Sequence, residues 1–214
     1  MNVPIKLSIM LRLIPNILTI SRLVLSAVFL VMLLYVPRVA QADLPGFLDV
    51  AFVLFVAAAV TDIVDGLAAR RLKVASKFGR MLDPLVDKVL VCGAFVCFAV
   101  IGRPVLFDLG RTSLAFVHWS VAAVLIAREV YVTVLRHIAE ARGVNFAATV
   151  SGKVKMFVQS FAIGTVLIKA AHVPAAAWAS WFTIVVFAAM VVITVVSGVR
   201  ATRRSSWQQL RAQS

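Results

Sequence analysis

Asp62, Asp65, Asp83 and Asp87 fall within the stretch DIVDGLAARRLKVASKFGRMLDPLVD, residues 62–87, and make up four of the chain's nine acidic residues. Side chains three or four positions apart share a helix face, so Asp62 and Asp65 form one pair and Asp83 and Asp87 another. Carboxylates gathered at one place raise one another's pKa and cannot all stay ionised uncompensated. Either some are protonated or cations lie among them. An oxygen-only donor set of this size suits Mg2+ or Mn2+, and two such ions about 4 Å apart recur in phosphoryl chemistry. Salt bridges to Arg70, Arg71, Lys77, Arg80 and Lys88 are the bland alternative. Gly66 and Gly79 favour the ligand reading, because a bare Cα beside each acid pair lets a bulky group approach the backbone.

The elements that must hold these acids are set by composition. The 214 residues are 62% hydrophobic and 14% charged, with a mean hydropathy of +1.00. A soluble domain of this length could not hide that much apolar surface, so the solvent must largely be lipid. Apolar runs of about 20 residues, the length that crosses a bilayer, lie near 17–36, 47–69, 81–102, 113–136, 147–169 and 174–199. Pro37, Pro45, Gly46, Pro104, Gly110, Gly143 and Pro174 punctuate the connections, as helix breakers do. The expectation is an all-α integral membrane protein of six transmembrane helices over residues 16–200. Residues 1–15 carry Lys6 and Arg12 among Ile5, Leu7, Ile9, Leu11 and Leu13, which predicts a short amphipathic helix lying in the interface. Residues 201–214 form a basic tail.

Charge sets the orientation. The formal net charge is +13, but its distribution argues against a nucleic-acid partner. Only Arg38, Arg103, Arg111 and Lys169 lie near the first, third and fifth connections; the other 18 of 22 basic residues lie toward the opposite side. That bias puts both termini, the 70–80 loop and the acid cluster at the cytoplasmic face, where some of the basic charge attracts anionic lipid head groups. Ala40-Gln41-Ala42 imitates a signal-peptidase site, yet the run before it is span-length, so an uncleaved first helix is expected. Cys92 and Cys97 read as packing residues.

The order Asp62-x-x-Asp65-Gly66-x-x-Ala69-Arg70, eight residues, then Gly79-x-x-x-Asp83-x-x-x-Asp87 resembles the signature of the CDP-alcohol phosphotransferase family at every fixed position. The resemblance implies a six-helix membrane enzyme, usually a homodimer, that transfers a phosphatidyl or related group from a CDP-linked donor to an alcohol and releases CMP. It also implies roles: Asp62, Asp65 and Asp83 as ligands of two divalent cations, Asp87 as ligand and base. Gly66, Ala69, Arg70 and Gly79 would line the cytidine diphosphate site together with Asp62 and Asp65. The chemistry is consistent, because metals and Arg70 could neutralise charge building on the diphosphate, and a carboxylate at the edge could take the hydroxyl proton.

The first span opens Pro15-Asn16-Ile17-Leu18-Thr19-Ile20-Ser21-Arg22. Asn16 and Thr19 are ordinary helix-start residues, but Arg22 lies about one turn inside the apolar run. The stretch resembles the opening of the phosphatidylglycerophosphate synthase branch of the family, which implies that Asn16, Thr19 and Arg22 border the nucleotide. Span 4 carries Arg128, Glu129 and Arg136, and span 5 opens Ser151-Gly152-Lys153-Val154-Lys155-Met156-Phe157-Val158-Gln159. Arg128 and Arg136 lie roughly on one face, as do Lys155 and Gln159. Arg128 and Glu129, being adjacent, are expected to point to different sides and to be poor partners. The Arg-Glu span and the Gly-Lys-x-Lys segment again resemble that branch, although Met156 stands where it often has threonine. The implied acceptor is sn-glycerol 3-phosphate, whose dianion needs a cationic pocket of Arg128, Arg136, Lys153 and Lys155.

The expected activity is therefore transfer of the phosphatidyl group of CDP-diacylglycerol to sn-glycerol 3-phosphate, in a bacterial-type cytoplasmic membrane. Rival acceptors are phosphatidylglycerol, giving cardiolipin, and inositol phosphate. The rival from another class is a divalent-cation transporter, disfavoured because the acids sit off-centre beside a basic loop and no second acid set repeats them.

Overall fold

The computed structural model describes the backbone of residues 5–72, 77–107, 109–141 and 150–212. It describes the side chains of 19–61, 85–107, 109–139, 141, 152 and 154–203. Six α-helices follow in order: α1 (Ile5–Tyr35), α2 (Leu44–Leu72), α3 (Lys77–Ile101), α4 (Arg111–Ala141), α5 (Val150–His172) and α6 (Ala177–Ala212). No strand occurs among the described residues. Among the described residues four stretches are apolar and long enough to cross a bilayer: Thr19–Arg38, Leu44–Thr61, Val154–His172 and Ala177–Arg203. α3 and α4, of 25 and 31 residues, also exceed the roughly 20 residues that span hydrocarbon; α3 carries Asp83 and Asp87, and α4 carries Arg128, Glu129 and Arg136.

Helix ends follow local chemistry. Asp43 stands at the N-cap position of α2, its carbonyl accepting from the Phe47 N–H at 3.0 Å, and Pro45 occupies the first turn, where a missing N–H is harmless. Gly102 adopts φ 66° after α3, and the Arg103 N–H returns to the Phe98 carbonyl at 3.1 Å. That closure needs a residue tolerant of the left-handed region.

Two boundaries differ from the sequence expectation. α1 runs unbroken from Ile5 through Pro15 to Tyr35, so residues 5–15 are not a separate short helix. A proline deletes one i→i−4 bond and tends to bend a helix, and here the flanking turns carry the helix on. α6 continues to Ala212, well past residue 199. Between Gly198 and residue 212 there is no Gly or Pro, and Arg, Gln, Leu and Ala all favour helix.

The chain forms two compact units, residues 1–97 and 98–214. In the first, α1 packs on α2. Phe29 meets Phe55 at 5.4 Å and Tyr35 meets Phe47 at 6.3 Å between ring centroids, so the two helices run antiparallel. α3 lies along α1 in the parallel sense: Arg22 meets Asp87, while eight residues on Leu30 meets Gly93 and Cys97. A Cβ on Gly93 would come within 2.8 Å of Leu30 Cδ1, so a larger residue there would oblige the Leu30 side chain to shift. Both cysteines are free thiols, and the buried Cys97 donates to the Leu30 carbonyl.

In the second unit α6 packs on both α4 and α5. Arg128 lies against Gly198 and Tyr131 bonds Thr202, which makes α4 and α6 parallel. At the other end of this unit Lys169, 2% exposed, donates to the carbonyls of Val105 and Pro174, both at 2.9 Å. One ammonium thus ties the 102–110 connection to the α5–α6 turn. Around that end Trp119, Trp178 and Trp181 are exposed, and Phe107 stacks edge-on to Trp181 at 5.2 Å, in keeping with the aromatic belts found at membrane interfaces.

Candidate active site

The buried face of α1 reads Thr19, Arg22, Ser26, Phe29, Leu33 and Val36, alternating steps of three and four. Its apolar half packs on α2; its polar half lies toward the N-terminal end. Asn16 is three residues before Thr19 on the same face, its side chain outside the described residues. Arg22 is 1% exposed, and its Nη1 donates to Asp87 Oδ1 at 3.0 Å; the Asp87 side chain is 24% exposed. The sequence placed both residues at the site and gave no sign of this pairing across 65 positions.

The remaining motif residues can be placed only by backbone. Phe29 opposite Phe55 and Tyr35 opposite Phe47 set the α1–α2 register. Carried about two turns further along both helices, that register brings Asp62 level with Arg22, and hence with Asp87. Asp65, Gly66, Ala69 and Arg70 follow within the last two to three turns of α2, and Gly79 and Asp83 precede Asp87 within the first turns of α3. Their side chains lie outside the described residues. Among the described residues no three His, Cys, Asp or Glu side chains come together. The donor set itself, four carboxylates on two helices with a guanidinium balancing one of them, fits hard divalent cations and no softer metal.

The second unit gathers Arg128, Glu129 and Lys155. Arg128 Nη1 donates to Glu129 Oε1 at 3.0 Å, and the Lys155 ammonium donates to the same oxygen. Lys155 is 6% exposed and Gln159, on the same face of α5, is 1% exposed; Gln159 Nε2 reaches Thr194 Oγ1 at 3.5 Å. This corrects the expectation that Arg128 and Glu129 are poor partners. Their Cβ directions do diverge, but Lys155 draws the carboxylate toward α5, and a guanidinium in an apolar span costs enough uncompensated that its long side chain bends to follow. Glu129 was the residue sequence reasoning passed over, and its signal was being the only acid in span 4. Arg136, half-buried two turns along α4, has an Nε without a hydrogen-bond partner among the described residues, as does Arg128. The Lys153 side chain lies outside the described residues. Met156 and Phe157 are exposed, so the Met156 departure sits on the face of α5 turned away from Lys155.

These segments can be set beside known proteins. Residues 12–196 match the pattern of the CDP-alcohol phosphatidyltransferase family. The chain belongs to that family. The matched region contains all eight motif positions, Arg22, Arg128, Glu129 and Lys155. Among relatives of the phosphatidyltransferase, a probable phosphatidylglycerophosphate synthase of Mycobacterium tuberculosis is 36% identical over 89% of this chain and 80% of its own length. The CDP-diacylglycerol–glycerol-3-phosphate 3-phosphatidyltransferase of Bacillus subtilis is 34% identical over 72% of this chain and 76% of its own. That of Pectobacterium atrosepticum is 36% identical over the same shares. A transferase identity displaces the transporter reading.

Proposed function

We propose that this phosphatidyltransferase moves the phosphatidyl group of CDP-diacylglycerol to sn-glycerol 3-phosphate, forming phosphatidylglycerophosphate and CMP. The observation that carries the acceptor is the pair of cations, half-buried Arg128 and buried Lys155, on one helix-borne carboxylate. A neutral alcohol would give such a pair nothing to bind, whereas a phosphate dianion matches it. The M. tuberculosis and B. subtilis relatives bear names of the same activity.

In this reading all six helices span a bacterial cytoplasmic membrane with both termini inside. Residues 1–15 form a juxtamembrane segment, 16–200 the enzyme domain and 201–214 a basic cytoplasmic tail; the protein works as a homodimer. CDP-diacylglycerol arrives from the inner leaflet with its acyl chains left in lipid. Asn16, Thr19, Arg22, Gly66, Ala69, Arg70 and Gly79 border the nucleotide. Asp62, Asp65, Asp83 and Asp87 would hold two divalent cations, Mg2+ or Mn2+, which would neutralise the charge gathering on the diphosphate. Arg70 offsets charge on the departing CMP. Arg128, Arg136, Lys153 and Lys155 hold the acceptor's phosphate, and Asp87 takes the proton from its hydroxyl as oxygen bonds to the lipid-bearing phosphorus. Arg22 fixes the direction in which Asp87 points.

The test is a screen of acceptors for CMP release by the purified enzyme in detergent. Glycerol 3-phosphate should support turnover, while phosphatidylglycerol and inositol phosphate should not. Turnover with either of those and none with glycerol 3-phosphate would reassign the acceptor.

A further inference from the structure

We infer that Glu129 is a positioning residue for the acceptor site: it holds the Arg128 guanidinium and the Lys155 ammonium side by side as a seat for a phosphomonoester dianion. The inference rests on the proposal that this cationic group receives the acceptor's phosphate. Two like charges from different helices repel, and in an apolar surrounding little solvent screens them. A single carboxylate oxygen accepting from both converts that repulsion into a fixed arrangement. Glu129 is itself mostly buried, with a side chain 12% exposed, so it cannot swing out to water without uncovering both cations.

How Glu129 binds also leaves something open. It engages Arg128 through Nη1, and Arg128 Nε, buried, has no hydrogen-bond partner among the described residues. Arg136, on the same face of α4 two turns along, has a buried Nε in the same condition. Buried donors are almost always satisfied, and the Nε edge of guanidinium is one of the two through which arginine grips phosphate with paired bonds. Two such donors on one helix face, with a lysine fixed beside the first, describe a site prepared for a multidentate anion. Glu129 takes the other side of the guanidinium and so aims that edge. A carboxylate that merely trimmed excess positive charge would not need to meet both cations through one oxygen.

The two roles predict opposite results for Glu129→Gln, which is near-isosteric. A charge-trimming role predicts tighter acceptor binding, because the site gains net positive charge. The positioning role predicts a KM for glycerol 3-phosphate raised about tenfold or more, the loss of one charge-assisted contact no longer held in place, with the KM for CDP-diacylglycerol unchanged. Glu129→Asp should give an intermediate value, and thermal unfolding confirms that each variant is folded. Lys155→Gln is measured alongside. If it raises the acceptor KM while Glu129→Gln leaves or lowers it, the inference fails and the acceptor site stands. If neither variant moves that KM, the acceptor site itself is wrong and the inference falls with it. Loss of kcat with both KM values unchanged also overturns it. Should Glu129→Gln not fold, Glu129→Asp decides: a raised acceptor KM alone upholds the role, and a wild-type KM overturns it.

Discussion

The Arg22–Asp87 pair is the contact through which α1 reaches the signature aspartates, and its strength can be worked from its surroundings. The two atoms are 3.0 Å apart, with Arg22 1% and Asp87 24% exposed. Removing one partner of a wholly buried pair costs about 3–5 kcal/mol, while a fully exposed pair is worth about 1 kcal/mol at most. The partial exposure of Asp87 lets solvent screen the pair, so its coupling should be about 2 kcal/mol. Both residues have further interactions, so single variants lose more than this one contact. A double-mutant cycle isolates it. Arg22→Gln, Asp87→Asn and the double variant are purified in detergent and their thermal unfolding followed by circular dichroism. With about 2–4 °C per kcal/mol for a chain of this size, the two single losses together should exceed the loss in the double variant by roughly 4–8 °C. Strictly additive shifts would show that the pair contributes nothing, and the assignment of Arg22 as the residue directing Asp87 would be withdrawn.

Further outcomes are expected elsewhere. Asp83→Asn should abolish CMP release while the protein stays folded; chelation should silence the wild type, with Mg2+ or Mn2+ restoring it, and substantial turnover in either case would count against the metal site. Lys169→Met removes two 2.9 Å bonds to loop carbonyls and should cost about 3 kcal/mol, read as a lower unfolding temperature with both KM values unchanged. Gly93→Leu places side-chain atoms where Leu30 lies 2.8 Å away and should cost roughly 1–3 kcal/mol; Leu30→Ala in the same chain should recover part of that, and no recovery would mean the α1–α3 contact is misjudged.

The helices were legible because lipid as solvent demands long apolar runs, and because Pro37, Pro45 and Pro104 fall where α1 ends, α2 begins and α3 has just ended. What sequence missed was continuity. Residues 1–15 read as a separate interfacial helix, yet whether a helix continues through Pro15 depends on what the neighbouring turns can pack against, and that is tertiary information. On the site, Arg22 stood out as a charge about one turn inside an apolar run, and Lys155 and Gln159 were read as sharing a face, which the structure buries. Glu129 was misjudged because adjacency was taken to decide the matter. Its partner lies 26 residues on, in α5, and once that lysine fixes the carboxylate, Arg128 has a reason to bend toward its neighbour.

Three cations, Arg22, Lys155 and Lys169, are each more than nine-tenths buried, and what each meets separates chemistry from scaffolding. Burying a charge away from water is costly unless partners replace its hydration. Lys169 finds two backbone carbonyls, which are fixed in place and permanently neutral; no ligand can take their position without unravelling the loops that carry them. Arg22 and Lys155 find side-chain carboxylates, Asp87 and Glu129, which balance their charge in place. Burial alone therefore does not mark a functional cation in this protein. A carboxylate partner does, and among the described residues Arg22 and Lys155 meet that criterion and lie among the residues that sequence spacing had assigned to the diphosphate donor and the phosphate acceptor.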